Sequence, residues 1–201
     1  MYLTELQLDA LKEVINIGVG YAAGSLNELV GTPISLRVPD VDVLDLDNAR
    51  TRVAAFGWSR VASVHLAFSG ALKGNVALVF PYDNAVKLVS LLTGDEGSNP
   101  DVDGIRAATL EETGNIILNG VVGSVSNLLQ GQTSFSIPYY SEQGGLPTRF
   151  AGVEAGAHVV LARARFGVAQ HEIEGEIFLF FEMGALESLV DALNRFIESP
   201  V

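Results

Sequence analysis

The chain contains itself twice, and a duplicated chain is expected to fold into two similar halves that can share one core. Residues 11–41, LKEVINIGVGYAAGSLNELVGTPISLRVPDV, align without a gap to 110–140, LEETGNIILNGVVGSVSNLLQGQTSFSIPYY. Glu13 meets Glu112, Asn16 meets Asn115, Gly24 meets Gly123, Ser25 meets Ser124, Leu29 meets Leu128 and Pro39 meets Pro138. A looser match joins 72–94, LKGNVALVFPYDNAVKLVSLLTG, to 173–195, IEGEIFLFFEMGALESLVDALNR. Each half reads as a long helix, a strand ending near the proline, a hairpin and a closing amphipathic helix.

The first helix is expected over about 4–30, with Leu11, Val14, Ile15, Ala22, Leu26 and Leu29 as its apolar face. Its counterpart spans about 101–130, with Asp101 or Asp103 available to cap it after Pro100. Four segments rich in β-branched and aromatic residues read as strands, at 63–70, 74–80, 158–166 and 174–181. Short Gly-containing turns between them favour antiparallel pairing, and the polar stretch 93–104, TGDEGSNPDVDG, joins the halves. The expectation is an α+β fold: a pseudo-twofold duplicated unit with two long surface helices packed on a shared antiparallel β-sheet. Residues 1–201 would form a single domain of two repeats, about 4–95 and 101–197.

Composition narrows the chemistry. There is no cysteine, which excludes disulfides, thiolate metal sites and cysteine nucleophiles. The formal charge is −12, with only Lys12, Lys73 and Lys87 beside nine arginines. Such a surface repels nucleic acid and anionic membranes, whose binders need clustered basic residues. No stretch approaches the roughly 18 uninterrupted apolar residues of a membrane span. The first residues, which carry Glu5 and Asp9, lack the basic start and apolar run of a secretory signal. A cytoplasmic protein without membrane insertion is expected. The acidity keeps an apolar-rich chain soluble, and it also fits a saline habitat or a GC-rich genome.

Residues i and i+3 share a helix face, so Glu13 and Asn16 project side by side. Gly20, Gly24 and Asn27 continue that stripe. In the second helix the stripe is Glu112, Asn115, Asn119, Gly123 and Ser126. Polar helix residues usually just meet water, and helical glycines are often packing positions. Here, however, Glu, Asn and the downstream Pro recur in register, which chance gives at about 10⁻⁴ for residue frequencies of about 5%. Neighbouring positions differ, as at Val14/Thr113, Val19/Leu118 and Tyr21/Gly120. The recurring polar pair is therefore the candidate site. Each interior glycine costs a helix about 1 kcal/mol relative to alanine. Several on one stripe suggest the close approach of another backbone or of a partner protein.

The spacing Asp9, Glu13, Asn16, Pro39 resembles the signature of the CheC/CheX/FliY phosphatase family: Asp or Ser, three residues, Glu, two residues, Asn, twenty-two residues, Pro. Glu112, Asn115 and Pro138 repeat it, with Ala108 at the leading position. The stretch NIGVGYAAGSLNEL is also similar to one typical of CheC, the member of the family that the chain most resembles. The resemblance implies a phosphatase acting on the phosphoaspartate of a CheY-like response regulator in chemotaxis. Asn16 and Asn115 would orient the attacking water, and Glu13 and Glu112 would contact the receiver's lysine. Asp9, Gly20, Gly24, Asn119 and Gly123 would line the docking surface. The chain would bind no cofactor or metal, since Mg²⁺ would sit in the receiver domain. Two sites on opposite faces are implied. The receptor deamidase CheD is a further implied partner, and a non-catalytic adaptor for a receiver or for CheD is the alternative.

Other features point elsewhere. The acidic run DVDVLDLDNAR (40–50) lacks the Gly and Glu of a calcium loop and reads as a charged hairpin edge. His65, His158 and His171 are scattered singly, so neither a metal centre nor a catalytic histidine is indicated. Ser25 and Ser124 have no histidine placed to activate them. Trp58 reads as a core or hairpin anchor.

Overall fold

The computed structural model describes residues 3–94, 102–144, 158–168, 170–182 and 184–198. Helix α1 (Glu5–Val30) opens with Thr4 and Gln7 in a reciprocal capping box and closes on Gly31, whose φ of 69° suits a residue without a side chain. The chain continues through β1 (Ile34–Asp45), α2 (Leu46–Ala54), β2 (Arg60–Gly70), β3 (Gly74–Pro81) and α3 (Tyr82–Thr93). The second half supplies α4 (Val102–Leu128), β4 (Thr133–Phe135), β5 (Tyr139–Gly144), β6 (His158–Val168), β7 (His171–Phe181) and α5 (Ala185–Glu198). Asp103 lies inside the first turn of α4 rather than capping it, and Asp101 lies outside the described residues.

One antiparallel sheet carries both halves, in the order β1-β6-β7-β3-β2-β4, with β5 also pairing with β2. The order is symmetric about the β7–β3 pair, and it exchanges strands. β1 of the first half lies on the β6–β7 hairpin of the second, while β4 and β5 of the second lie on the β2–β3 hairpin of the first. The repeats therefore interlock.

Alternating strand residues and the apolar helix stripes meet in a large core beneath α1, α3, α4 and α5. Leu11, Val14, Ile15, Ala22 and Leu26 of α1 are buried there as expected, but Leu29 is 62% exposed. The opposite face of the sheet is covered by α2, whose Leu46, Ala49 and Val53 form a second core with Val61, Val79, Val159 and Phe178. Trp58 packs against this second core and stacks on Phe56.

Two sequence expectations need correcting. β1 does not stop at Pro39 but runs to Asp45. The acidic run is not a hairpin edge: its first half completes β1, and Asp45 caps α2 by accepting from the Asn48 backbone N–H. A proline is tolerated because β1 is an edge strand and is bulged there. Arg37 pairs with Arg165 but Asp40 with Arg163, so Val38 and Pro39 fall out of register.

Candidate functional site

Helices α1 and α4 pack against each other on the same side of the sheet, and both contribute to the large core. The two Glu/Asn pairs thus belong to one helical layer, not to opposite faces of the sheet. The close approach is made by Gly18 and Gly120: a Cβ at Gly18 would lie 2.4 Å from the Gly120 carbonyl oxygen. By contrast, Cβ atoms added at Gly20, Gly24 and Gly123 would meet nothing within 4 Å. The backbone contact suggested by the glycine stripe is real but is made by other glycines. Those expected to line a docking surface leave open space.

Glu13 and Glu112 are exposed, and neither makes a hydrogen bond or ion pair among the described residues. Their asparagine neighbours are half-buried and differ sharply. The Asn16 Nδ2 donates to the Val38 carbonyl at 2.8 Å and to the Lys12 carbonyl at 2.9 Å, and its Oδ1 accepts from the Val38 N–H at 2.8 Å. The bulge that displaces Val38 from the β6 ladder leaves its backbone polar groups in need of partners, and Asn16 supplies both. The spacing of Asn16 from Pro39 therefore has a structural meaning: the carboxamide grips the residue just before the proline. The expectation that Asn16 is free to face a partner is not met.

In the second half that grip is missing. Asn115 Oδ1 accepts from Asn119 Nδ2 at 2.9 Å, while its own Nδ2 has no hydrogen bond among the described residues. The strand equivalent to β1 is broken into β4 and β5, and Ile137, the counterpart of Val38, is 87% exposed. Other contacts hold this segment. Glu111 accepts from the Tyr140 backbone N–H at 2.9 Å. Beneath it Arg106, only 5% exposed, lies 3.6 Å from Glu142 and also meets Asp103 and the Tyr82 hydroxyl. Burial would raise the Glu142 pKa, but hydrogen bonds from Tyr140 and Arg60 outweigh it, and the carboxyl stays below its usual range. This network fixes α4 against β5 close to Glu112 and Asn115. Nothing in the repeat points to it, because the position that matches Arg106 by register holds Gln7, an uncharged residue.

The remaining predicted residues also find places. Asp9 is exposed and pairs with Lys12 at 3.3 Å. With Glu5, Pro39, Asp40 and Asp42 these two line a groove of about 340 Å³. Asn119 and Gly123 border a second groove of about 510 Å³, with Ile17 and Tyr21. Asn27 accepts from the Ile34 N–H, and its counterpart Ser126 bonds Thr133, so the ends of both stripes are ties to the first strand of each half. Ser25 and Ser124 donate to carbonyls of their own helices. Ser63 Oγ lies 2.8 Å from His65 Nε2, but Ser63 is 2% exposed and out of a substrate's reach. Among the described residues no three His, Asp or Glu side chains converge on a metal position, and no helix is long and apolar enough to cross a membrane.

These features define a class of protein: an interlocked duplicate whose two long helices each present a carboxylate beside a carboxamide. No protein-family model matches the chain. It is 27% identical over 207 residues to the CheY-P phosphatase CheC of Bacillus subtilis, covering 96% of each. Its fold is similar to that of Thermotoga maritima FliY, with a TM-score of 0.76 at 18% identity over 97% of this chain and 99% of that one. It is also similar to a chain of the CheX–CheY–BeF3–Mg²⁺ complex of Borrelia burgdorferi, with a TM-score of 0.51 at 17% identity over 85% and 99%. The proteins it resembles, in sequence and in fold, are thus CheC, FliY and CheX.

Proposed function

We propose that this protein is a phosphatase that hydrolyses the phosphoaspartate of a CheY-like receiver domain, and that the second-half pair Glu112 and Asn115 carries the reaction. The observation that favours this pair is the state of the two carboxamides. Asn16 has both ends committed to Val38, whereas Asn115 keeps Nδ2 and one Oδ1 lone pair beside a solvent-facing glutamate.

The reaction is attack of water on phosphorus. A new P–O bond forms from the water oxygen, the acyl P–O bond breaks, and the receiver's aspartate keeps the electron pair as a carboxylate. Phosphoryl transfer of this kind has a loose transition state, so catalysis is mainly placement and charge stabilisation. A carboxamide suits the task because it can accept from water and donate to a phosphoryl oxygen without changing charge. Asn115 would do both. Glu112 would fix the docked geometry by a charge-assisted contact to the receiver's lysine. The receiver would bring its own Mg²⁺, which neutralises phosphoryl charge.

The first half fits a binding role better. Its groove of Glu5, Asp9, Asp40 and Asp42 is acidic, suited to a basic patch on a receiver or on a protein such as CheD. Phosphate loss from a labelled receiver tests the assignment. Asn115→Ala should reduce stimulated dephosphorylation at least tenfold without changing the fold. Asn16→Ala should lower stability by about 1–3 kcal/mol, the cost of two buried backbone groups left unpaired, while the folded fraction remains active. Undiminished stimulation by Asn115→Ala would overturn the proposal.

A further inference from the structure

We infer that Asn119 is a positioning residue: its side chain selects which end of the Asn115 carboxamide faces the incoming phosphoryl group. The inference rests on the phosphatase reading above and deepens it. Asn119 lies one helical turn beyond Asn115 on α4, and its Nδ2 donates to Asn115 Oδ1 at 2.9 Å. An asparagine carboxamide can turn by half a revolution about its last torsion at little cost, exchanging oxygen for NH₂. Only the NH₂ end is attracted to an anionic phosphoryl group. A donor placed against one lone pair of Oδ1 fixes that end and turns Nδ2 toward the phosphoryl group, leaving the second lone pair to accept from the attacking water.

Stability does not explain Asn119. Its own Oδ1 is buried with no hydrogen-bond partner, an arrangement whose desolvation cost offsets the one bond it makes. Asparagine is also a poor residue for a helix interior. In the first half the equivalent position is Gly20, where an added Cβ would meet nothing within 4 Å, so space does not forbid a side chain there. Asn16 needs none, because Val38 already fixes it. Each half has one device for orienting its carboxamide. Val38 occupies both ends, whereas Asn119 occupies the oxygen alone.

The test is Asn119→Asp, nearly the same shape but unable to donate when ionised. The carboxylate would instead accept from Asn115 Nδ2, turning the wrong end outward. At pH 8 the maximal rate of stimulated receiver dephosphorylation should fall at least tenfold, with little change in the receiver concentration giving half-maximal rate. As pH falls and the introduced carboxyl takes up a proton, it regains a donor, and the rate relative to the native protein at the same pH should recover. A uniform loss with no recovery at low pH would assign Asn119 a merely structural part and overturn the inference. Asn115→Ala, run alongside, separates the two claims. If it stays active, the site assignment itself fails. If it is inactive while Asn119→Asp matches the native protein at every pH, only the positioning role fails. Should Asn119→Asp not fold, side-chain amide exchange in the native protein decides: protected Asn119 and exchanging Asn115 NH₂ groups support the inference, and the reverse pattern overturns it.

Discussion

At the scale of single residues, Glu176 shows how far burial can move a charge. Its side chain is 7% exposed on β7, and burial pushes its pKa up to about 7 although Arg163 at 3.4 Å opposes the shift. Arg52, Asp40 and Asp42 surround the same groove of about 260 Å³. A glutamate in the unfolded chain ionises near 4.5. Between these values the folded state holds a proton that the unfolded state has released, so stability falls as pH rises from about 4.5 to about 7. Glu176→Gln removes that proton exchange. Between pH 5 and pH 8 its unfolding free energy in urea should fall less than that of the native protein, by on the order of 1–3 kcal/mol. Equal falls would exclude the assignment. The candidate site is partly legible at this scale. Spacing places Glu13 and Glu112 on exposed helix faces, and the structure shows them there. It cannot show that a bulge at Val38 engages Asn16, because helical periodicity says nothing of which strand groups lack partners.

Among the elements, the junction of α1 and α4 separates two kinds of helical glycine. A side chain at Gly18 collides with the Gly120 carbonyl and with Ser124 Oγ, whereas one at Gly20 enters open space. Gly18→Ala should therefore destabilise the protein by roughly 1–3 kcal/mol as the helices are forced apart. Gly20→Ala should stabilise it by about 0.5–1 kcal/mol through helix propensity alone. Thermal midpoints moving in opposite directions would confirm the distinction; a shared direction would refute it. The long helices and four of the strands are legible because their apolar periods are strong. Helix α2 escapes a sequence reading although Leu46, Ala49 and Val53 follow a helical period, since the preceding aspartates suggest an edge turn. The course of β1 through Pro39 escapes it too, because a bulge leaves no period to read.

For the whole molecule, the exchanged strands tie stability across the repeat. The β1–β6 and β2–β4 pairings join opposite halves along the sheet, and both cores draw residues from each half. Unfolding in urea should be a single transition. Trp58, the sole tryptophan, reports on the core beneath α2, while far-ultraviolet dichroism is dominated by the helices on the other side. The two signals should share a midpoint; separate midpoints would mean independent halves. Sequence similarity reveals the duplication but not the exchange, because aligned repeats do not state which half a strand will pair with.

The same exchange bears on how the protein is made. As the polypeptide leaves the ribosome, Ile34–Asp45 emerges well before its partner, for Ile34 must wait for Val168 and Asp45 for His158. A growing chain halted between them would display a twelve-residue strand with neither edge paired. Pro39, with Asp40, Asp42 and Asp45 along that stretch, discourages it from joining a neighbour in the meantime. The acidic run is thus suited to guarding the strand during synthesis before it serves the finished sheet.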